Sequence, residues 1–284
     1  MPLSAPLAFI IGAVLGSFLN VIILRNKLVA VGVSASLASP RVALGRSGDK
    51  GGLGGILRGR SACLHCHKTL TWYELIPLIS FTLQRGRCRA CLNQLSPQYS
   101  LVELAMGVST LILFTPLPAS AIATASAVLS TISIALLITL FVIDLRTLIL
   151  PDIFVITLAV VVASTLLLNY GLRITDYGLL NALWGAALGT GALALLWLIT
   201  RGRGLGLGDV KLMLPLGALF GSTITVVLLF LAFVAGGIIG LFLLVTGRAT
   251  MKTPVPFGPF LTGVAILFIL VPGLPLAILH AIIG

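Results

Sequence analysis

Long uncharged apolar runs separated by short polar breaks fill most of the chain, and one extended polar stretch interrupts them after the first run. A helix rises about 1.5 Å per residue, so it needs about 20 apolar residues to cross a hydrocarbon core roughly 30 Å thick. Met1 to Leu24 carries no charged side chain and supplies one such span. Leu104 to Ile143 is uncharged for about twice that length, and Thr115-Pro-Leu-Pro118 divides it into spans two and three, because proline breaks a helix interior. Ile153 to Leu172 and Tyr177 to Thr200 give the fourth and fifth. Leu212 to Gly247 is too long for one span and contains a Gly221-Ser222 break, which makes a short sixth and a longer seventh. Thr253 to Gly284, opening on Pro254-Val-Pro-Phe-Gly-Pro259, supplies the eighth. The pattern predicts an all-α polytopic membrane protein of about eight transmembrane helices. Residues 1–25 form the first helix, 26–99 a polar loop, and 100–284 the remaining seven helices.

Composition agrees with this reading: 58% of the residues are hydrophobic and 9% charged, against about a quarter charged in soluble proteins. Membrane lipid is therefore the first partner implied. The formal net charge of +11 would raise the question of nucleic acid in a soluble chain. Position decides otherwise. Arg25, Lys27, Arg41, Arg46, Lys50, Arg58, Arg60, Lys68, Arg85, Arg87 and Arg89 all lie between Leu24 and Tyr99, as a cytoplasmic loop obeying the positive-inside bias requires. With the N-terminus outside, every basic residue except Arg173 falls on the inner side of the eight-span topology; shifting by one span inverts the bias. The first run has neither a basic start nor a small-residue cleavage site, so it reads as a retained helix. Gly12, Gly16 and Ser17 share one of its faces and suit close packing against another helix.

Within the polar loop, Gly45-Arg-Ser-Gly-Asp-Lys-Gly-Gly-Leu-Gly-Gly55 has no apolar period and reads as a flexible connector. No strand precedes it and no helix follows, so it lacks the context of a nucleotide-binding loop. Beyond it stand Cys63-Leu-His-Cys66 and Cys88-Arg-Ala-Cys91, the only cysteines in the chain. Two knuckles at this spacing can complete a closed tetrahedral zinc site, structural in kind because no ligand position stays open. Arg87 and Arg89 would help keep the thiolates ionised. Disulfides or a redox pair are the competing reading, disfavoured by a cytoplasmic location. His65 and His67 are not needed as ligands.

Only seven residues are acidic, and two of them stand where spans meet the inner surface. Asp209 follows the glycine run Gly204-Leu-Gly-Leu-Gly208, and Asp144 closes the run that ends Phe141-Val-Ile143. Intramembrane acids are costly to keep and point to function. Two carboxyls sharing one proton in a cleft suit acid/base hydrolysis of a peptide bond. Helix capping is the plainer role, natural for Asp209 and preferred for Asp152, which follows Pro151. Asp144 lies at the wrong end of its helix for capping, which makes it the chosen partner. A proton-coupled transporter and a zinc-stabilised scaffold without catalysis remain the rival classes.

Together these segments resemble one known family, the bacterial type IV prepilin leader peptidases. The resemblance rests on Gly16-Ser-Phe-Leu-Asn-Val21 with Arg25, the two cysteine knuckles, Trp72-Tyr-Glu74 with Ile76-Pro77, and Gly86-Arg-Cys88. It continues through Tyr99 with Val102-Glu103, Asp144 to Pro151-Asp152, Gly206-Leu-Gly-Asp-Val-Lys-Leu212 and Pro256-Phe-Gly-Pro259. It implies an aspartic peptidase of the inner membrane that removes the leader of type IV prepilins and of pilin-like secretion subunits at the cytoplasmic face, with Asp144 and Asp209 catalytic. It also implies methylation of the new N-terminal amine from S-adenosylmethionine, a bifunctionality associated with the cysteine-bearing loop, although peptidase without methyltransferase stays open. Glu74 and Glu103, acids near that loop, are candidates to assist the methyl-donor site.

Overall fold

The computed structural model describes residues 4–25, 63, 66, 68–115, 120–171, 178–202, 204–248, 250 and 253–283. The glycine-rich stretch 45–55, His65, His67, Pro116, Pro118, Arg173 and most basic residues of the first loop lie outside the described residues. The regular elements described are helical, and an isolated antiparallel bridge joins Arg87 to Gln94. The chain divides into two compact units, Met1–Leu117 and Pro118–Gly284.

The first unit is built on helices α1 (Ala5–Arg25) and α3 (Gln98–Phe114), with the single-turn helix α2 (Ile79–Leu83) between them in sequence. The expected small-residue face of α1 is its contact with α3. A Cβ on Gly12 would come within 2.5 Å of the Met106 carbonyl oxygen, and one on Gly16 within 2.7 Å of Glu103 Cα. Backbone touches backbone there, an approach only glycine permits. Asn20 adds a hydrogen bond from Nδ2 to the Tyr99 carbonyl at 3.0 Å.

Helix α3 starts six residues earlier than the apolar run, and so takes Glu103 into its second turn. A buried carboxylate needs partners. Glu103 accepts the Leu78 N–H at 2.8 Å and hydrogen bonds to Ser17 of α1. The acid read as the edge of the polar loop is thus a tie between α1, α3 and the segment leading into α2.

In the second unit, α4 (Ala121–Thr147) and α5 (Asp152–Gly171) are joined by a tight turn in which Leu148 adopts φ 56° and donates its N–H to the Asp144 carbonyl. Next come α6 (Leu179–Thr200), α7 (Leu207–Val245), α8 (Gly258–Leu270) and α9 (Leu274–Ile283). Leu137, Leu140, Leu158, Leu212, Met213, Leu216 and Leu261 are fully buried and form the centre of the core. Leu180 and Val245 remain 73% and 78% exposed on the outer surface, so these helices are apolar on the faces that no neighbour covers. That is the pattern of a bundle whose solvent is lipid.

Helix α7 is 39 residues long, yet it is not one rod. At Gly221 the backbone leaves the helical region, with φ 73° and ψ 175°, a conformation that glycine adopts without steric cost. The Thr225 hydroxyl lies 3.5 Å from the Gly217 carbonyl, although a straight helix separates positions eight apart by about 12 Å. The chain therefore turns back sharply at Gly221, giving a short limb (207–220) and a longer one (222–245). Asn181 of α6 pins the turn by accepting from the Ser222 N–H and hydroxyl at 3.0 and 2.7 Å.

Five helices among the described residues are long and apolar enough to cross a membrane, or six if α8 and α9, bent by 108°, make one span. The count of eight depends further on α3, which has 17 residues, and on the two limbs of α7.

Candidate active site and metal centre

Asp209 and Asp144 reach one place from opposite kinds of helix end. Asp209 is the third residue of α7, where the helix dipole favours a carboxylate. The Gly206 N–H donates to its Oδ2 at 3.3 Å, so the capping role anticipated for this residue is present. Only one oxygen is used in this way. Oδ1 is buried and has no hydrogen-bond partner among the described residues. Asp144 lies in the last turn of α4, against the dipole; the Gly258 amide bears on its carboxyl, and its Oδ2 is likewise buried without a hydrogen-bond partner among the described residues. Both residues are almost wholly enclosed, at 5% and 6% exposure.

Gly258, the first residue of α8, occupies the space between them. A Cβ there would lie 2.5 Å from Asp144 Oδ2 and 3.2 Å from Asp209 Oδ1. The two unpartnered oxygens can therefore be no farther apart than those two distances laid end to end. A side chain at 258 would press on both carboxyls. The Pro256-Phe-Gly-Pro259 motif was legible as a motif, but nothing in its letters placed Gly258 against the acids.

Neighbouring glycine has a separate task. A Cβ at Gly208 would be 3.0 Å from Leu150 Cβ, so its absence lets the α4–α5 turn close against the start of α7. Leu150 is itself buried, as is Leu205 before Gly206. Asp152 begins α5 as expected and forms an ion pair with Lys211, Nζ to Oδ1 at 2.9 Å, that ties the first turns of α5 and α7 together. The pair is exposed and its partner was not foreseen.

In the first unit the four cysteines converge. Their sulfur atoms all lie within 4.8 Å of one another, with Cys63 to Cys91 at 3.8 Å and Cys66 to Cys88 at 4.0 Å, and all four are free thiols. This arrangement could hold one tetrahedral metal ion. Backbone amides of Cys91 and Ala90 turn toward Cys88 and pull its thiol down to about 6. At Cys91 the Asn93 amide is outweighed by burial and the neighbouring sulfurs, which push that thiol up to about 11, so the cluster shares its protons when no metal is bound.

Glu74 and Glu103 are both engaged by the protein itself. Glu74 Oε2 accepts the Thr71 N–H at 2.9 Å and its hydroxyl at 2.8 Å, and the Thr71 amide above all holds this carboxyl below its ordinary range. Glu103 binds Leu78 and Ser17 as described above. The bonds from Thr71 and Leu78 all use Oε2 of their carboxylates.

Two family descriptions match the chain: "Bacterial Peptidase A24 N-terminal domain" over residues 10–117 and "Type IV leader peptidase family" over residues 131–241. Among its relatives is a "Prepilin leader peptidase/N-methyltransferase" of Burkholderia pseudomallei (strain K96243), 35% identical over 94% of this chain and 87% of that protein. Proteins of the same name from Stutzerimonas stutzeri, 34% identical over 91% of this chain and 89% of theirs, and from Bacillus subtilis (strain 168), 32% over 75% and 82%, are also similar. No solved structure matches the chain. A model confined to each half and relatives aligned along nearly the full length converge on one conclusion: the chain belongs to the type IV leader peptidase family.

Proposed function

We propose that this chain is a multi-pass aspartic endopeptidase of the bacterial inner membrane that removes the leader peptide of type IV prepilins and pilin-like secretion subunits at the cytoplasmic face, and that it methylates the new N-terminal amine. The relatives' name supports the substrate and both activities. The observation that carries the chemistry is the pair of buried, unpartnered oxygens of Asp144 and Asp209 flanking Gly258.

Two carboxyls so placed hold one proton between them, since ionising both in a poorly solvated space is costly. The ionised member takes a proton from water as that water attacks the scissile carbonyl carbon. The protonated member donates to the carbonyl oxygen and then, through the pair, to the leaving amine. No covalent intermediate forms. Gly206 N–H, by occupying Asp209 Oδ2, fixes which oxygen of Asp209 faces the substrate.

Zinc is the proposed occupant of the cysteine cluster. At a zinc–sulfur distance of about 2.3 Å a tetrahedral site separates its sulfurs by about 3.8 Å, and the cysteine pairs at 3.8 and 4.0 Å are close to that value. Its role is to fold the loop module. S-adenosylmethionine supplies the methyl group in the proposed second activity, and no residue of this chain is assigned to holding it. The proposed topology keeps eight spans, an external N-terminus, and the cysteine module and acid pair on the cytoplasmic side, as the distribution of basic residues supports.

Cleavage of a pilin-like substrate by the purified protein tests the reading. Asp144→Asn and Asp209→Asn should each lower turnover by at least 1000-fold, comparable with removal of one member of a catalytic set. Asparagine still caps the helix at 209, so loss of stability does not explain that result. Unchanged cleavage by either variant rejects the assignment. Mass spectrometry of the product decides whether a methyl group is added.

A further inference from the structure

We propose that the cavity beside Cys88 binds the headgroup phosphate of an anionic phospholipid, seating the cysteine module in the membrane interface. The proposal does not depend on the peptidase reading. The cavity is open, has a volume of about 750 Å³, and is lined by Arg85, Arg87 and Arg89 together with Leu83 and Leu92. Among the described residues, no acidic side chain lines it.

The three arginines stand on a short, well-braced backbone. Arg85 and Gly86 adopt φ 50° and 66°, the Gly86 N–H donates to the Phe81 carbonyl at 2.9 Å, and Arg87 bridges to Gln94. Arg89 is steadied over the Tyr73 ring at 5.3 Å. Three cationic side chains on a braced backbone concentrate positive charge where a phosphate can meet it.

Apolar exposure distinguishes a lipid from a free anion. Leu83 and Leu92 at the cavity are 69% and 67% exposed, and Ile79, on the same short helix as Leu83, is 56% exposed. The position of that helix within the first unit is fixed. Leu78, immediately before α2, gives its N–H to Glu103 in the second turn of α3, and Asn20 near the end of α1 binds Tyr99 at the start of α3. Helix α2 therefore lies level with the terminal turns of two apolar helices, where a membrane surface would run. There Ile79 and Leu83 can enter the acyl boundary while the arginines meet phosphates, the division of labour of an interfacial segment. Anionic lipid is favoured because basic residues beside such a surface are attracted by its negative potential.

The test uses the full-length, metal-containing protein in neutral detergent micelles, titrated with dioctanoyl phosphatidylglycerol, dioctanoyl phosphatidylcholine or inorganic phosphate. Phosphatidylglycerol should bind at least tenfold more tightly than phosphatidylcholine, and Arg85→Gln combined with Arg87→Gln should abolish that preference. Arg85→Lys with Arg87→Lys, which retains the charge, should keep most of it; this variant decides the matter if the glutamine pair loses its metal. Leu83→Ser with Leu92→Ser should weaken phosphatidylglycerol binding and leave phosphate binding unchanged. Equal affinity for the two lipids overturns the proposal, as does a preference that survives the glutamine pair. Displacement of phosphatidylglycerol by an equal concentration of inorganic phosphate also overturns it, by showing a free-anion site.

Discussion

Adding one methyl group at Gly258 should cripple the acid pair while leaving the protein folded. A Cβ at that position would lie 2.5 Å from Asp144 Oδ2 and 3.2 Å from Asp209 Oδ1. Relieving the nearer contact requires a displacement of about 0.8 Å, since unstrained carbon–oxygen contacts begin near 3.3 Å. A misplacement of about 1 Å among reacting groups costs on the order of 100-fold in rate. Overpacking by one methyl costs about 1–3 kcal/mol of stability, which a folded membrane bundle can absorb. Gly258→Ala should thus lower kcat for leader cleavage by roughly 100-fold with little change in KM, because substrate contacts remote from the pair are untouched. Gly263→Ala is the matched control. It lies on the same helix, and its Cβ would meet only Phe141 at an ordinary 3.8 Å. Alanine also suits a helix interior better than glycine by about 1 kcal/mol, so activity should be retained. The comparison is made on purified proteins of equal metal content, with melting temperatures recorded. Gly258→Ala cleaving within twofold of the parent would refute the inference that the two carboxyls work across this glycine.

Three other outcomes follow from local geometry. The purified protein should contain about one equivalent of zinc, and Cys66→Ser or Cys88→Ser should remove it, as metal analysis will show. Gly16→Val should lower the thermal midpoint, because even its Cβ would stand 2.7 Å from Glu103 Cα and force α1 from α3, whereas Gly240→Ala, with nothing within 4 Å, should not. A double-mutant cycle on Asp152→Asn and Lys211→Met should return a coupling below about 1 kcal/mol, as for exposed ion pairs, with cleavage preserved; loss of cleavage equal to that of Asp144→Asn would make Asp152 part of the reaction.

Where the sequence and the structure part, the reason is long-range contact. Helix α3 was expected to begin at Leu104 because a glutamate so near a span reads as its boundary. It begins at Gln98 because Leu78 and Ser17, distant in sequence, satisfy Glu103. The same contacts, with those of Thr71 to Glu74, make both acids braces of the loop module. Asp152 read correctly as a helix start, but its partner Lys211 stands 59 positions away and left no local sign.

Sequence alone determined the helical bundle, since uncharged runs of that length can satisfy their backbone in lipid only as helices. It determined the break at Gly221, which has no side chain to oppose a positive φ, and the grouping of four cysteines with metal-ligand spacing. It also singled out Asp144 and Asp209, because acids are too costly beside a membrane to be kept idle. Only tertiary structure decided that these two acids meet, that Gly258 packs against both, and that Glu74 and Glu103 take hydrogen bonds from Thr71, Leu78 and Ser17. Local pattern sets what a segment can form; which side chains share a few ångströms depends on how separate helices pack, and no run of neighbouring letters encodes that distance.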